Sequence, residues 1–160
     1  MGHLGGQASL FNGSHRVTAA NDGAAALVLA NEKQAKKSNP LAKIISYCFG
    51  GVEPDEMGLG PIQSSKMALK KVGLTIDDLD LVESNEAFAA QAVAVTQELQ
   101  LDLKKVNVRG GAIALGHPIG ASGARILTTL IYALRAKGGG RGVASLCAGG
   151  GMGIAMVVEV

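Results

Sequence analysis

An α/β fold, with a mixed sheet carrying helices on its faces, is predicted by three features of the sequence. Strand-like apolar runs alternate with segments whose apolar residues recur every three or four positions. Glycine or proline marks most junctions, and the last two strand-like runs are separated only by a glycine cluster, as in an antiparallel hairpin. Alternation of this kind favours a layered sheet with right-handed crossovers, whose strand ends share an edge and carry the functional loops.

Each element follows in order. Ala24-Ala25-Ala26-Leu27-Val28-Leu29 reads as a buried strand, Asn31 to Lys37 as a short helix, and Asn39-Pro40 as a break. Ala42 to Phe49 has strand composition and Gly50-Gly51 ends it. Pro61 opens a helix through Val72, with Ile62, Met67, Ala68 and Leu69 apolar and Gly73 as the stop. Leu79 to Val82 is a second strand. Asn85 is read as the cap of a helix from Glu86 to Leu99 that buries Ala87, Ala90, Val93 and Ala94. Val106 to Val108 follows as a short strand. Ser122 is read as the cap of a helix through Lys137, with Ile126, Leu127, Leu130, Ile131 and Leu134 inward and Gly138-Gly139-Gly140 as its end. Val143 to Cys147 and Gly153 to Val158 complete the sheet.

A chain of 160 residues that is 48% apolar can bury one true core. A net charge of +2 is too small to imply nucleic acid, and pairs such as Lys36-Lys37, Lys70-Lys71 and Lys104-Lys105 mark solvated helix ends. With 3% aromatic residues and no Trp, base-stacking platforms and membrane-interface belts are not indicated. The 2 cysteines lack CxxC spacing, so neither zinc nor a disulfide is expected, and the expected setting is reducing, cytoplasmic or within an organelle, with the cytoplasm taken as the location. No apolar run is long enough to span a membrane. Residues 1–16 read as a flexible leader in which His3 and His15 form no metal site.

Three glycine-flanked elements carry the chemistry: Asn85-Glu86-Ala87-Phe88, Gly116-His117-Pro118 through Gly123, and Cys147-Ala148-Gly149-Gly150-Gly151. An imidazole can activate a thiol, a second thiol can shuttle a proton, and glycine N–H groups can hold an oxyanion, which together fit acyl or carbanion chemistry. Each alone has a plainer reading: Asn85 as a cap, His117 as a structural histidine, Cys147 as a small buried hydrophobe. Gly116 to Gly123 has neither a P-loop ending nor GxGxxG spacing. Cys48, in a strand-like run, reads as an inert buried thiol.

The stretches Asn85-Glu86-Ala87-Phe88-Ala89-Ala90-Gln91, Asn107 through Arg125 with Gly116-His117-Pro118 at its centre, and Cys147 through Gly153 closely resemble the C-terminal half of thiolases of the acetyl-CoA acetyltransferase type. The resemblance runs from about Val17 to the end and includes Asn21 to Ala26 and Met57-Gly58-Leu59-Gly60-Pro61. It implies a thiolase-like mixed sheet, with residues 17–39 as the last strand and helix of the N-terminal half and 40–160 as the C-terminal domain.

The activity implied is reversible Claisen condensation of acetyl-CoA, or thiolysis of a 3-ketoacyl-CoA, in fatty acid metabolism. His117 would activate the nucleophile and help bind the thioester oxygen, with a water held by Asn85. Cys147 would take and return the α-proton, and the Gly149 N–H would serve a second oxyanion hole. Met57 and Phe88 would line the pantetheine path. Coenzyme A thioesters are then substrates and no cofactor is expected. The family's acylated Cys belongs to the N-terminal half, and Cys48 does not match it. Asn21-Asp22 lacks the family's CoA-contacting Ser, and Arg109 replaces a small polar residue or His. The expected partners are therefore acetyl-CoA or acyl-CoA, an N-terminal thiolase chain and further copies in a homo-oligomer. The alternatives are an inactive domain that binds CoA or another protein, and an independent Cys147–His117 dyad.

Overall fold

The computed structural model describes residues 18–160; the leader expected over 1–16 lies outside them. Its sheet has four strands in the order β1-β4-β3-β2: β1 Lys43–Gly51, β2 Leu81–Ser84, β3 Arg141–Ala148 and β4 Met152–Glu159. β1 pairs antiparallel with β4 and β4 with β3, while β2 runs parallel to β3. The sheet is mixed, as expected.

Helices cover both faces. On one side α2 (Gly60–Lys70) and α3 (Ala89–Glu98) pack Ala68, Leu69, Val95 and Leu99 against Cys48, Val82, Val143, Ala155 and Val157. On the other, α5 (Ser122–Lys137) sets Ile126, Leu127, Leu130, Ile131 and Leu134 against Leu81, Ala144 and Val158. Those five positions form one face of a 3.6-residue repeat, so burial follows the sequence pattern. Gly138, in the left-handed conformation, ends α5. A short helix α1 (Glu32–Ala35), whose first turn Asn31 caps, stands ahead of the sheet, and α4 (Ala112–Leu115) precedes the His117 loop.

Several elements differ from the sequence reading. Ala24 to Leu29 is neither strand nor buried: Val28 is 99% and Leu29 73% exposed, because a strand needs a ladder partner and none of the described strands pairs with it. Val106 to Val108 makes one parallel bridge to Val82 and stops. There Asn107 takes φ +47°, which turns the main chain away, while its carboxamide pairs with the Ser84 N–H and C=O at 2.9 Å each, as a strand backbone would. α3 starts at Ala89, not Glu86, since Asn85 still donates its N–H to Ser145 and Phe88 is extended. Its buried face is Ala89, Gln91, Ala92 and Val95, whereas Ala90 is exposed. Gly50 and Gly51 lie inside β1.

Candidate active site

The carboxyl ends of β2 and β3 are adjacent, parallel and both followed by functional loops. Asn85 extends β2, with its N–H on the Ser145 carbonyl, and is 1% exposed. Side chains alternate across a strand, so Asn85 leaves the sheet on the α5 side, like Leu81. There its Nδ2 meets His117 Nε2 at 3.5 Å. Asn85 thus faces His117 and is no helix cap, the residue before the helix being Phe88.

His117 is fixed from several sides. Gly116 has φ +98°, a conformation L side chains rarely adopt, and a Cβ there would strike the Asn21 carboxamide. The His117 N–H donates to Ala19 at 3.1 Å, and its Nδ1 lies 2.6 Å from the Ser122 hydroxyl. Ser122 is the first residue of α5 and caps nothing; its hydroxyl turns back to the Pro118 carbonyl at 3.0 Å. Burial first, then the Arg125 guanidinium, pushes the His117 pKa below the usual imidazole range.

Cys147 sits near the end of β3, 8% exposed, two residues beyond the carbonyl that holds Asn85. Leu146 packs on the α5 side, so alternation sends Cys147 to the α2–α3 side. It shares the strand-end rim with Asn85 and His117 without lying on their face. Burial pushes its thiol pKa up, the opposite of what an independent thiolate–imidazole dyad needs. Both Cys147 and Cys48 are free and buried.

Gly149 is exposed in the β3–β4 turn, and a Cβ on it would meet nothing within 4 Å. The turn closes through Gly151, whose φ of +84° and contact with the Val52 carbonyl both require glycine. Val52 donates its N–H back to Gly151 at 2.8 Å. The 3-10 helix Pro54–Leu59 therefore flanks the turn and carries half-buried Met57. Phe88, 42% exposed, lies three residues after Asn85, just ahead of α3.

Sequence reasoning missed the supports of this rim. Glu86 is 5% exposed and accepts from Ile113 N at 2.9 Å and Asn107 Nδ2 at 3.3 Å, tying the β2 end to α4. The Thr18 hydroxyl donates to the Glu86 carbonyl, and Ala20 bridges to His117. Glu83, 2% exposed one step below Asn85 on the α5 face, has its carboxyl pushed up to about 8 by burial and Glu86, against the pull of Arg125. A carboxylate beside Asn85 and a serine five residues after His117 were the available signals. Among the described residues, no cluster of three or more His, Cys, Asp or Glu could hold a metal ion.

The thiolase C-terminal domain model matches residues 38–160. The chain belongs to the thiolase family. It is 56% identical over 143 residues to an acetyl-CoA acetyltransferase of Syntrophomonas wolfei, covering 87% of this chain and 36% of that protein. It is 54% identical over 157 residues to the cytosolic acetyl-CoA acetyltransferase of Mus musculus, covering 94% of this chain and 40% of the relative. The crystal structure of human mitochondrial 3-ketoacyl-CoA thiolase in complex with CoA superposes with TM-score 0.79 at 52% identity, over 81% of this chain and 33% of that one. The chain thus spans well under half the length of these thiolases. Among its described residues, no helix is long and apolar enough to cross a membrane.

Proposed function

We propose that this chain supplies the proton-transfer residues of a thiolase-type acyltransferase acting on coenzyme A thioesters. The reaction is the reversible Claisen condensation of acetyl-CoA, read backwards as thiolysis of a 3-ketoacyl-CoA. The observation that carries it is the Asn85–His117 contact on the strand end next to the one bearing Cys147.

His117 Nε2 takes the proton of the attacking thiol, so a thiolate forms while the imidazole becomes imidazolium. That thiol is a Cys outside the matched stretch or CoA itself. Neutral His117 is the form required for this step, and both burial and Arg125 favour it. Cys147 exchanges the proton at the acyl α-carbon; burial, which raises its pKa, keeps the resting group a protonated thiol and makes its thiolate the stronger base for taking the α-proton. Asn85 and His117 serve one oxyanion and the open Gly149 backbone another; one such donor is worth roughly 10²–10³ in kcat. Met57 and Phe88, flanking the rim, line the pantetheine path. Residues 17–39 belong with the N-terminal half and 40–160 form the C-terminal domain.

An N-terminal thiolase chain completes the site, and further copies form a homo-oligomer. Exposed Val28, Leu29, Tyr47 and Phe49 support both contacts. A cytoplasmic location is supported by the cytosolic mouse relative.

The test mixes this chain with the separately expressed N-terminal portion of the Syntrophomonas wolfei relative and follows CoA-dependent loss of acetoacetyl-CoA. Turnover that needs both chains and disappears in His117→Ala and Cys147→Ala is the expected result. CoA binding by calorimetry without turnover would replace the enzyme with a binding module.

A further inference from the structure

We propose that Ser122 is the positioning residue that selects the tautomer of His117, holding Nδ1 protonated and leaving Nε2 as the bare base beside Asn85. The Ser122 hydroxyl is fully buried and has a single proton to give. Two groups lie within reach: the Pro118 carbonyl at 3.0 Å and His117 Nδ1 at 2.6 Å. A carbonyl only accepts, so the contact to Pro118 uses the serine proton. The contact to Nδ1 is then a hydrogen bond only if the imidazole donates it. The opposite arrangement would aim the serine proton at Nδ1 and leave hydroxyl and carbonyl lone pairs facing one another.

A neutral imidazole carries one N–H, so protonated Nδ1 means unprotonated Nε2. The other side of the ring agrees. Nε2 faces Asn85 Nδ2 at 3.5 Å, which is a donor to a bare nitrogen. The same chain of bonds orients the carboxamide: Nδ2 points at the ring, and Oδ1, buried and without a partner among the described residues, points away from it. The loop between the two residues has little freedom to swap these roles. Its ends are tied by the His117 N–H to Ala19 and by the Ala121 N–H to Pro118 at 2.7 Å. Arg125, one turn into α5, disfavours a second proton on the ring.

Calling Ser122 a positioning residue rests on the acyl-transfer role of His117, whereas the tautomer itself does not. With the opposite tautomer, Nε2 would carry a proton and could not accept one from a thiol.

Long-range proton–nitrogen correlation spectra of the 15N-labelled full chain, recorded above the imidazole's titration, read the tautomer directly. The His117 signals are those missing in His117→Gln, which separates them from His3 and His15. The expected wild-type pattern is protonated Nδ1 with bare Nε2. Ser122→Ala should move the ring toward the Nε2–H form or a mixture, and Ser122→Thr, which keeps the hydroxyl, should restore the original pattern. An Nε2–H pattern in the wild type, or an unchanged pattern in a folded Ser122→Ala, overturns the proposal; the wild-type spectrum decides even if a variant fails to fold. In the two-chain assay, Ser122→Ala should lower kcat at least about tenfold with KM little changed. Full activity in that variant with an altered tautomer would overturn the positioning role. The expected tautomer without turnover in any two-chain mixture would strike the acyl-transfer reading, and Ser122's positioning role with it, while the tautomer assignment stands.

Discussion

Glu83 and Asp80 sit on the same short stretch of chain and respond to pH with opposite sign. The Glu83 carboxyl is held up to about 8, burial being the main cause. Between the ordinary carboxylate range and pH 8 the folded chain keeps this proton and the unfolded chain releases it, so stability falls as pH rises through that window. The slope is at most about 1.4 kcal/mol per pH unit. Glu83→Gln should flatten this part of the profile in denaturant unfolding measured at a series of pH values; parallel profiles would refute the assignment. Asp80 is lowered, first by the Lys137 hydrogen bond and then by the Arg141 amide. Its contribution is present above the ordinary carboxylate range and is lost as pH falls through its folded value. Because Lys137 and Asp80 are 50% and 39% exposed, solvent screens the pair. Asp80→Asn should therefore cost under about 1 kcal/mol at neutral pH in the same measurement.

At the scale of elements, α5 is the principal apolar cover on its face of the sheet. Leu130, 0% exposed at the centre of its stripe, should cost about 2–5 kcal/mol as Leu130→Ala in chemical denaturation. This helix was legible in the sequence because polar residues separate its apolar ones and three glycines follow it. α3 was legible as a helix but not in its rotation, since the run from Ala89 to Val95 offers little polar contrast to mark an inward face. The hairpin β3–β4 was visible from its glycine cluster, while the strand expected over 106–108 failed because Asn107 substitutes its side chain for main-chain pairing. The site divides the same way. Asn85, His117 and Cys147 stand out by residue type, whereas Ser122 and Glu86 were hidden. Serine before a helix looks identical whether it caps the helix or bonds a distant ring, and a glutamate's partner 27 residues away leaves no local trace.

At the scale of the whole molecule, apolar residues lie open around the extended segment before α1. Leu27, Val28 and Leu29 are 38%, 99% and 73% exposed, a patch that water tolerates poorly. Concentration-dependent association should appear in sedimentation velocity and weaken in a Val28→Lys, Leu29→Lys double variant; a monodisperse monomer at high concentration would contradict this. That segment also connects Thr18, Ala19 and Ala20, which are bonded to Glu86 and His117, to everything downstream. A protease that cuts the exposed residues 21–30 would leave the four-strand sheet intact. It would also turn a covalently tethered clip into a loose peptide free to diffuse off, and the His117 amide, now without its acceptor, should exchange with deuterium faster in the nicked protein. A fragment starting at residue 38, where the family match begins, would carry the same defect from the outset.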